Sequence, residues 1–283
     1  MKVCHNLNSK MRSFPQKIDF YLLIPFYNNL PGLLHSLQSV QYDADKFAVV
    51  IVDDGSVEPV SQNALFAHIS TAIQVEVIRL PQNKGITTAL NTGLQWILQQ
   101  NNSLFIARLD CGDLCTNDRF YKQVAFLKQH PAVDLVGSWC IFRDFTSNVA
   151  FRYVTPTDHH QIRRSMHFRN LFIHPTVMWR CEAMKKVARY PDTYPDAEDY
   201  GFFYQLLDNG ECAIIPEYLV TCEINHKGIS LSSRKKQLKS RIKVVKEFGK
   251  NKILRYLGVL KLRLLLIIPY NVIFAIKKTL YGV

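Results

Sequence analysis

The sequence predicts an α/β fold in which a mostly parallel sheet is sandwiched by helices. Short β-rich runs alternate with longer helical patterns through the first half of the chain. The strand-like runs are almost continuously apolar, which is typical of parallel strands buried on both faces. The 283 residues are 48% hydrophobic and 20% charged, so they can form a sizeable core, and a mainly disordered protein is excluded.

Four strands are expected in the first half, each bounded by Pro, Asn, Asp or Gly: residues 18–24, 47–52, 75–79 and 104–109. The helices between them are expected near residues 30–40, 59–70 and 85–100. The third helix has apolar residues at helical spacing and one small position, Gly93. Because ligands of such sheets bind at the carboxyl ends of the strands, site residues are expected there.

The alternation of strands and helices weakens in the second half. The elements expected there are a helix near 117–130 behind a Thr116 or Asn117 cap, short strands around 133–143, a polar stretch at 155–170, an apolar run at 171–179 and a helix near 197–209. We expect this half to complete one cleft with the first half. It does not resemble an independent domain.

The net charge of +12 is confined to one end of the chain. Residues 234–283 hold 14 Lys or Arg against the single Glu247, whereas residues 1–233 hold 21 basic and 22 acidic side chains. The body therefore lacks the charge of a nucleic-acid-binding protein. Seven scattered cysteines without a C-x-x-C pair, and a start without the apolar run of a signal peptide, favour a cytosolic protein.

The C-terminal tail, residues 233–283, differs in composition from the body. Residues 233–252 form a basic helical pattern, and residues 253–276 are apolar but interrupted by charges. The longest charge-free stretch, 264–276, has 13 residues, whereas a membrane-spanning helix needs about 20. We therefore expect residues 234–283 to lie on a membrane surface, at the inner face of the cell membrane. The alternative is a basic helix that packs on the body or binds a partner.

Acidic residues occur where this fold gathers functional groups. Asp53 and Asp54 follow the second strand, and Asp110 and Asp113 follow the fourth. Two carboxylates at one strand end provide the oxygen ligands that Mg²⁺ or Mn²⁺ prefers. The alternative is structural: residues 53–56 form a capped turn, and Asp113 caps another. Glu198 and Asp199, which begin the later helix, have the same alternative, since acids are common in a first helical turn.

Five motifs in sequence order resemble glycosyltransferase family 2: residues 24–28, 52–56, 83–93, 107–113 and 198–200. The resemblance runs from about residue 18 to about residue 230. It implies a GT-A fold and an inverting transfer in a single displacement. The implied segments are an N-terminal extension at 1–17, a glycosyltransferase domain at 18–232 with a nucleotide-sugar half at 18–115 and an acceptor half at 116–232, and the tail at 233–283.

The same resemblance assigns roles to individual residues. The expected donor-binding residues are Pro25, Tyr27, Asp53, Asp54, Lys84, Gly85, Arg108 and Asp110. Asp110 and Asp113 match the motif that holds ribose and metal, and Asp199 matches the general base. Family members commonly have Asp-Ala-Asp-Asp where this chain has Asp110-Cys111-Gly112-Asp113. Either Asp113 supplies the metal contact from a loop freed by Gly112, which we favour, or the metal is held more weakly.

The chemistry of the reaction agrees with these roles. A departing nucleoside diphosphate gains negative charge, so a divalent ion, helped by Lys84, would stabilise it. The acceptor hydroxyl must lose its proton, for which Asp199 is the candidate base, and a charged Glu198 would raise the pKa of Asp199. His226 could contact the diphosphate or metal. Glu198 and His174 could line the acceptor side, although each histidine could equally be structural.

The sequence thus predicts an enzyme that moves one sugar from a nucleotide-sugar to a hydroxyl of a lipid-linked or lipopolysaccharide saccharide. The expected donor is a UDP-hexose or UDP-N-acetylhexosamine, and the expected cofactor is Mn²⁺ or Mg²⁺. The alternatives are a nucleic-acid- or partner-binding protein that uses the basic tail, and an inactive protein of the same fold. A dinucleotide-dependent oxidoreductase is disfavoured because no G-x-G-x-x-G follows the first strand.

Overall fold

The computed structural model describes residues 17–116, 118–147, 149–224 and 233–268. Within these residues the strands are β1 Ile18–Phe26, β2 Phe47–Asp53, β3 Gln74–Arg79, β4 Ser103–Arg108, β5 Leu114–Cys115, β6 Val133–Arg143, β7 Ala150–Tyr153, β8 Met178–Arg180 and β9 Glu211–Glu223. They form one sheet in the order β3-β2-β1-β4-β8-β6-β9-β5, with β7 paired to β6. Strands β1 to β4 are parallel, as predicted.

The described helices are α1 Leu30–Gln38, α2 Gln62–Phe66, α3 Ile86–Gln100, α4 Arg119–Gln129, α5 His159–Ser165, α6 Glu198–Asn209, α7 Arg234–Phe248 and α8 Lys252–Ile267. Short 3-10 turns occupy residues 174–176 and 181–185. The expected order of strands and helices in the first half is confirmed. None of the helices in the described part of the chain combines the length and apolar character needed to cross a membrane.

Two elements differ from the sequence-based expectation. Residues 59–70 contain only the five-residue helix α2, in which Leu65 alone is buried. Since burial of an apolar face supplies most of a helix's stability, so small a face sustains little more than one turn. Residues 133–143, expected as short strands, form the single strand β6, whose register with β9 shifts near Ser138. These register shifts interrupt the alternation of buried and exposed side chains that would have indicated one long strand.

The sheet separates two apolar clusters. Along β1, Phe20, Leu22 and Ile24 belong to the cluster covered by α1 and α4. Tyr21 and Leu23 point to the opposite cluster, which includes buried residues of α3 and α6. Successive side chains of a strand face opposite sides, so this division confirms the predicted sheet sandwiched by helices.

Helix α3 lies close against the sheet at its one small position. A Cβ atom added to Gly93 would lie 2.3 Å from Leu23 Cδ1 and 2.9 Å from Val52 Cγ2. Only glycine permits this approach, because the interior is too densely packed for both side chains to move away. The helix ends at Asn101, whose left-handed conformation (φ 50°) terminates it before β4.

The described part of the tail, residues 233–268, packs against the body. Leu238, Val244 and Val245 of α7, with Val259 and Leu262 of α8, belong to the same apolar cluster as α3 and α6. These two helices therefore contribute to the core. The N-terminal extension, apart from its last residue, and residues 269–283 of the tail lie outside the described residues.

Candidate active site

The carboxyl ends of three strands carry residues singled out in the sequence, and the end of a fourth strand lies beside them. Strands β1, β2 and β4 are parallel, so Tyr27, Asp54 and Asp110 follow strand ends at one edge of the sheet. Strand β9 ends at Glu223, whose backbone N–H donates to Asp113 Oδ1 at 2.8 Å. The sheet topology thus brings the end of β9 to the residues that follow β4.

The two acids after β2 bind backbone amides. Asp53 is fully buried and accepts hydrogen bonds from Ser56 N at 2.9 Å and Val60 N at 3.4 Å. Asp54 is also buried, and its two oxygens accept from Lys84 N at 2.7 Å and Gly85 N at 2.8 Å. Asp53 therefore stabilises the turn after β2, and Asp54 holds the loop that precedes α3.

The other expected donor contacts lie around this loop. Tyr27 is 49% exposed, Lys84 is exposed, and Pro25 and Gly85 are half-buried. The backbone N–H groups of Lys84 and Gly85 donate to Asp54 and are therefore occupied, whereas the side chain of Lys84 is exposed. Nucleoside contacts by these residues stay a prediction.

Arg108 is fully buried at the end of β4 and holds Asp110. Its guanidinium forms an ion pair with Asp110 and also donates to the carbonyl oxygens of Leu23 and, at 3.1 Å, Leu109. Burial opposes ionisation of Asp110, but the charge and hydrogen bond of Arg108 outweigh it and hold the pKa below its ordinary value. Arg108 therefore orients the ionised Asp110, and its expected direct contact with the donor stays a prediction.

His174 supports Arg108 from the other side. Its Nε2 accepts a hydrogen bond from Arg108 Nε at 3.2 Å and lies 2.9 Å from the Tyr190 hydroxyl. Burial, with the charge of Arg108, lowers the pKa of His174 to about 3. The imidazole is thus neutral near pH 7 and serves as an acceptor. These contacts favour the structural alternative for His174 over an acceptor-binding role.

Gly112 leaves room for a carboxylate from another strand. Its φ is +102°, and an added Cβ would lie 2.1 Å from Glu223 Oε2. Glu223 thus fills the space that a side chain at position 112 would occupy. Burial, and then the charge of Asp110, raises the pKa of Asp113 well above its ordinary value. The sequence did not single out Glu223, and His226, three residues later, lies outside the described residues.

Glu198 and Asp199 begin α6 and are both withdrawn from solvent. Asp199 accepts hydrogen bonds from Asn170 Nδ2 at 2.9 Å and Tyr200 N at 2.7 Å. Glu198 is 6% exposed, and its Oε2 is buried without a hydrogen-bond partner among the described residues. Burial and the Asp199 charge raise the pKa of Glu198 to about 8.

The pKa of Asp199 is also raised, chiefly by burial, with Asp110 adding to the effect and Arg241 opposing it. The charge of the neighbouring Asp199 raises the pKa of Glu198. The expected effect of Glu198 on the pKa of Asp199 stays a prediction. The charge of Asp110 raises the pKa of both Glu198 and Asp199. The end of β4 and the start of α6 therefore share one electrostatic environment. Asp54 belongs to the neighbouring loop.

Within the described residues, no three His, Cys, Asp or Glu side chains are gathered so that they alone could hold a metal ion. Asp110 is ionised beside Arg108, whereas the raised pKa of the buried Asp113 favours its neutral form. A cation that binds there would favour ionisation of Asp113. A bound diphosphate would have to supply the remaining ligands.

The chain resembles known sugar-transferring proteins. The family model described as Glycosyl transferase family 2 matches residues 21–188, which is more than half of the chain. The chain belongs to glycosyltransferase family 2. This membership confirms the resemblance read from the five motifs and shows that the protein is a glycosyltransferase enzyme.

Two relatives illustrate the sequence similarity of this glycosyltransferase. A Haemophilus influenzae protein named as an uncharacterized glycosyltransferase is 32% identical over 192 residues, covering 64% of this chain and 66% of that protein. The amylovoran biosynthesis glycosyltransferase AmsE of Erwinia amylovora is 28% identical over 207 residues, covering 71% of this chain and 74% of that protein. The chain thus spans slightly less than two thirds of the first relative's length.

Solved structures share the fold of this glycosyltransferase. S. aureus TarS 1-349 in complex with UDP-GlcNAc has a TM-score of 0.62 and 17% identity, covering 85% of this chain and 69% of that chain. Mannosyltransferase PcManGT from Pyrobaculum calidifontis, in complex with GDP-Man and Mn²⁺, also has a TM-score of 0.62 and 17% identity, covering 84% of this chain and 66% of that chain. The expected GT-A fold is confirmed.

Proposed function

We propose that this enzyme transfers one sugar from a nucleotide-sugar to a saccharide hydroxyl, with inversion at the anomeric carbon. The observation that carries the proposal is a chain of contacts from the end of β4 to α6. Arg108 pairs with Asp110 and donates to His174. The His174 ring lies 5.9 Å, between centroids, from the ring of Phe203 on α6. A carboxylate for the donor side and a candidate base for the acceptor side would then border one reaction space. An inverting displacement needs this arrangement, because the nucleophile attacks the face opposite to the leaving group.

The proposed donor is a UDP-hexose or a UDP-N-acetylhexosamine. Its nucleoside would lie at the ends of β1 and β2, against the exposed ring of Tyr27 and the loop that Asp54 holds. The Lys84 ammonium would face the phosphates. The complex of TarS with UDP-GlcNAc, a protein of the same fold, supports this class of donor. The complex of PcManGT with GDP-Man makes a GDP-sugar the first alternative to test.

We propose that Asp110 would hold a divalent cation together with oxygens of the bound diphosphate, with Asp113, Glu223 and His226 as candidate further ligands. The fit rests on the empty side-chain position of Gly112, into which Glu223 places a carboxylate oxygen. A bound Mn²⁺ or Mg²⁺ ion would neutralise charge on the departing diphosphate. The Mn²⁺ complex of PcManGT makes manganese the first metal to test.

Asp199 is the proposed general base. It accepts a hydrogen bond from Asn170, which orients one carboxylate oxygen, while Tyr200 N holds the other. Its raised pKa strengthens it as a proton acceptor once it is ionised. Glu198, protonated near neutral pH, could donate a hydrogen bond to a sugar hydroxyl from its unpartnered buried oxygen. This supports its expected position on the acceptor side.

The proposed acceptor is a saccharide on a lipid carrier or a lipopolysaccharide core. The named relatives support this class, since AmsE is named for amylovoran biosynthesis and WbnJ of Escherichia coli for O-antigen biosynthesis. WbnJ is 24% identical over 196 residues, covering 68% of this chain and 72% of that protein. Work on such an acceptor would take place at the cytoplasmic face of the cell membrane.

A screen of UDP- and GDP-sugars by thermal shift, with and without Mn²⁺, tests the proposal, because a ligand that binds the folded state raises its melting temperature. We expect one UDP-sugar to stabilise the protein more in the presence of Mn²⁺. That donor is then assayed for nucleotide release with lipid-linked saccharides. No shift with any nucleotide-sugar would overturn the proposal. Binding without turnover on any acceptor would favour an inactive protein of the same fold.

A further inference from the structure

Helix α8 has apolar side chains on two sides. One side faces the body: Val259 and Leu262 are buried, and an added Cβ on Gly258 would lie 1.9 Å from the carbonyl oxygen of His167. The other side faces solvent with six large apolar residues, each at least 42% exposed: Ile253, Tyr256, Leu257, Leu260, Leu264 and Ile267. We call these six residues the α8 stripe.

The spacing of the α8 stripe makes it continuous along the helix. Its members recur at intervals of three or four residues, with one adjacent pair, so they line one side over the whole length of α8. Sixteen residues correspond to about 24 Å of helix. Single exposed apolar residues are ordinary on protein surfaces, but a continuous apolar face indicates an interaction surface.

The charges on α8 are all positive. Helix α8 carries Lys252, Arg255, Lys261 and Arg263 and has neither Asp nor Glu. Helix α7, which packs against it, adds exposed Lys235, Lys239, Lys243 and Lys246 and a single acid, Glu247. An occupant of this surface must therefore accept apolar side chains and carry negative charge.

We propose that the α8 stripe inserts into the headgroup region of an anionic lipid bilayer, with α8 lying in the plane of the membrane. Such a surface supplies an apolar layer for the stripe and negative headgroups for the flanking cations. A second copy of the chain would juxtapose two basic helices without acids on α8 to pair with them. A nucleic acid would pair with the cations but leave the stripe in water. Of these three occupants, the bilayer satisfies both features.

This surface also gives the tail a double role. Through α7 and the buried side of α8 it completes the core, and through the α8 stripe it holds the body against the membrane. Lys236 of α7 forms an ion pair with Asp196 at 3.2 Å, two residues before Glu198. The membrane-facing helix pair is thus joined directly to the segment that leads into α6 and the proposed acceptor site.

A tryptophan placed in the stripe tests the proposal on the full-length chain. Tyr256 is 69% exposed, so Tyr256→Trp should fold normally and report its surroundings. With vesicles of phosphatidylcholine and phosphatidylglycerol, we expect the difference emission against the parent protein to shift to the blue. Leu104→Trp is the matched control, because Leu104 is 49% exposed and lies near the start of β4, outside the tail. Its emission should not shift. Vesicles of phosphatidylcholine alone should give a much weaker shift.

Two further variants separate the apolar and electrostatic contributions. Leu257→Gln/Leu260→Gln should lower the vesicle partition coefficient at least tenfold with an unchanged melting temperature, because both side chains are exposed. Lys252→Gln/Lys261→Gln should weaken binding to anionic vesicles and flatten its dependence on salt. Unchanged binding of the leucine variant would overturn the proposal and transfer the function to residues 269–283. A doubled mass in light scattering that the leucine substitutions abolish would also overturn the proposal. Retention on nucleic acid that these substitutions abolish would do the same.

Discussion

The side-chain amide of Asn91 on α3 pairs with the backbone of Tyr190, ninety-nine residues away. Asn91 Nδ2 donates to the Tyr190 carbonyl at 3.0 Å, and Tyr190 N donates to Asn91 Oδ1 at 2.9 Å. The Tyr190 hydroxyl contacts His174, which in turn holds Arg108. Arg108 forms the ion pair with Asp110. Asn91, within the third of the five motifs (residues 83–93), thereby supports the position of a proposed donor-binding acid.

Replacement of Asn91 by Ala should destabilise the protein, because it leaves the amide and carbonyl of the buried Tyr190 without partners. We expect the free energy of unfolding to fall by about 1–3 kcal/mol, measured by urea denaturation. Nucleotide binding should also weaken as Asp110 loses its support. Asn209→Ala, which removes an exposed hydrogen bond to the Gln205 carbonyl, is the matched control. Equal losses in the two variants would contradict this role for Asn91.

The sequence predicted the parallel half of the sheet well and the mixed half poorly. Strands β1, β2 and most of β4 were identifiable because burial on both faces makes them continuously apolar. Strand β8 has three residues and pairs antiparallel to both β4 and β6, which no periodicity within so short a segment indicates. The second half therefore depends on pairing between distant segments, which a local pattern does not encode.

The same division applies to the candidate site. Asp110, Asp113 and Asp199 were singled out because they follow a strand or begin a helix. Glu223 was missed because its relation to Gly112 arises only when β9 pairs with β5, which directly follows this segment. The hydrogen bond from Glu223 N to the Asp113 carboxylate joins residues 110 positions apart. Likewise, the sequence does not show whether Asp53 and Asp54 bind backbone amides, solvent or a ligand, because this depends on the conformation of the loops.

Asp199→Asn should abolish transfer and spare donor binding. The substitution keeps the size of the side chain but removes the proton acceptor, so we expect the rate to fall by about 10²- to 10⁴-fold. In the parent enzyme, the rate should rise with pH through a pKa above the ordinary 3.8 of aspartate, since burial raises the pKa of Asp199. Asp208→Asn, on the same helix and paired with Arg163 at 3.2 Å, is the control. Near-normal turnover of the Asn variant would exclude Asp199 as the base.

Glu198 should make the stability of the protein depend on pH. Its pKa is about 8 in the folded state and near 4.5 when exposed, so between these values the folded state binds more protons than the unfolded state. The stabilisation is complete below pH 4.5 and is lost as the pH rises through 8. Glu198→Gln stays uncharged throughout.

The melting temperature of Glu198→Gln should therefore rise relative to that of the parent protein as the pH increases from about 5 to about 8.5. Differential scanning fluorimetry measures this difference. Glu182→Gln, at a side chain 80% exposed, is the control and should show a constant difference. A difference that stays constant for Glu198→Gln as well would show that Glu198 titrates normally.

Glu223→Gln should weaken the binding of Mn²⁺ in the presence of UDP. The carboxylate lies 2.1 Å from the Cβ position of Gly112, where it replaces a side chain that the motif of this family would otherwise supply. Loss of its charge should lower the Mn²⁺ affinity by about tenfold, since a hard cation depends on anionic oxygen ligands. The concentration of free Mn²⁺ is read from its electron paramagnetic resonance signal, with UDP and, in parallel, GDP.

Glu211→Gln, at the opposite end of β9, is the matched control and should bind Mn²⁺ like the parent protein. Gly112→Ala should resemble Glu223→Gln, because the added methyl group displaces the Glu223 carboxylate and is strained at a φ of +102°. UDP binding in EDTA should be the same in all variants, which separates loss of the metal from loss of the nucleotide site. If Glu223→Gln binds Mn²⁺ as tightly as Glu211→Gln, the ion is held without Glu223, and Asp113 with His226 becomes the ligand set to test next.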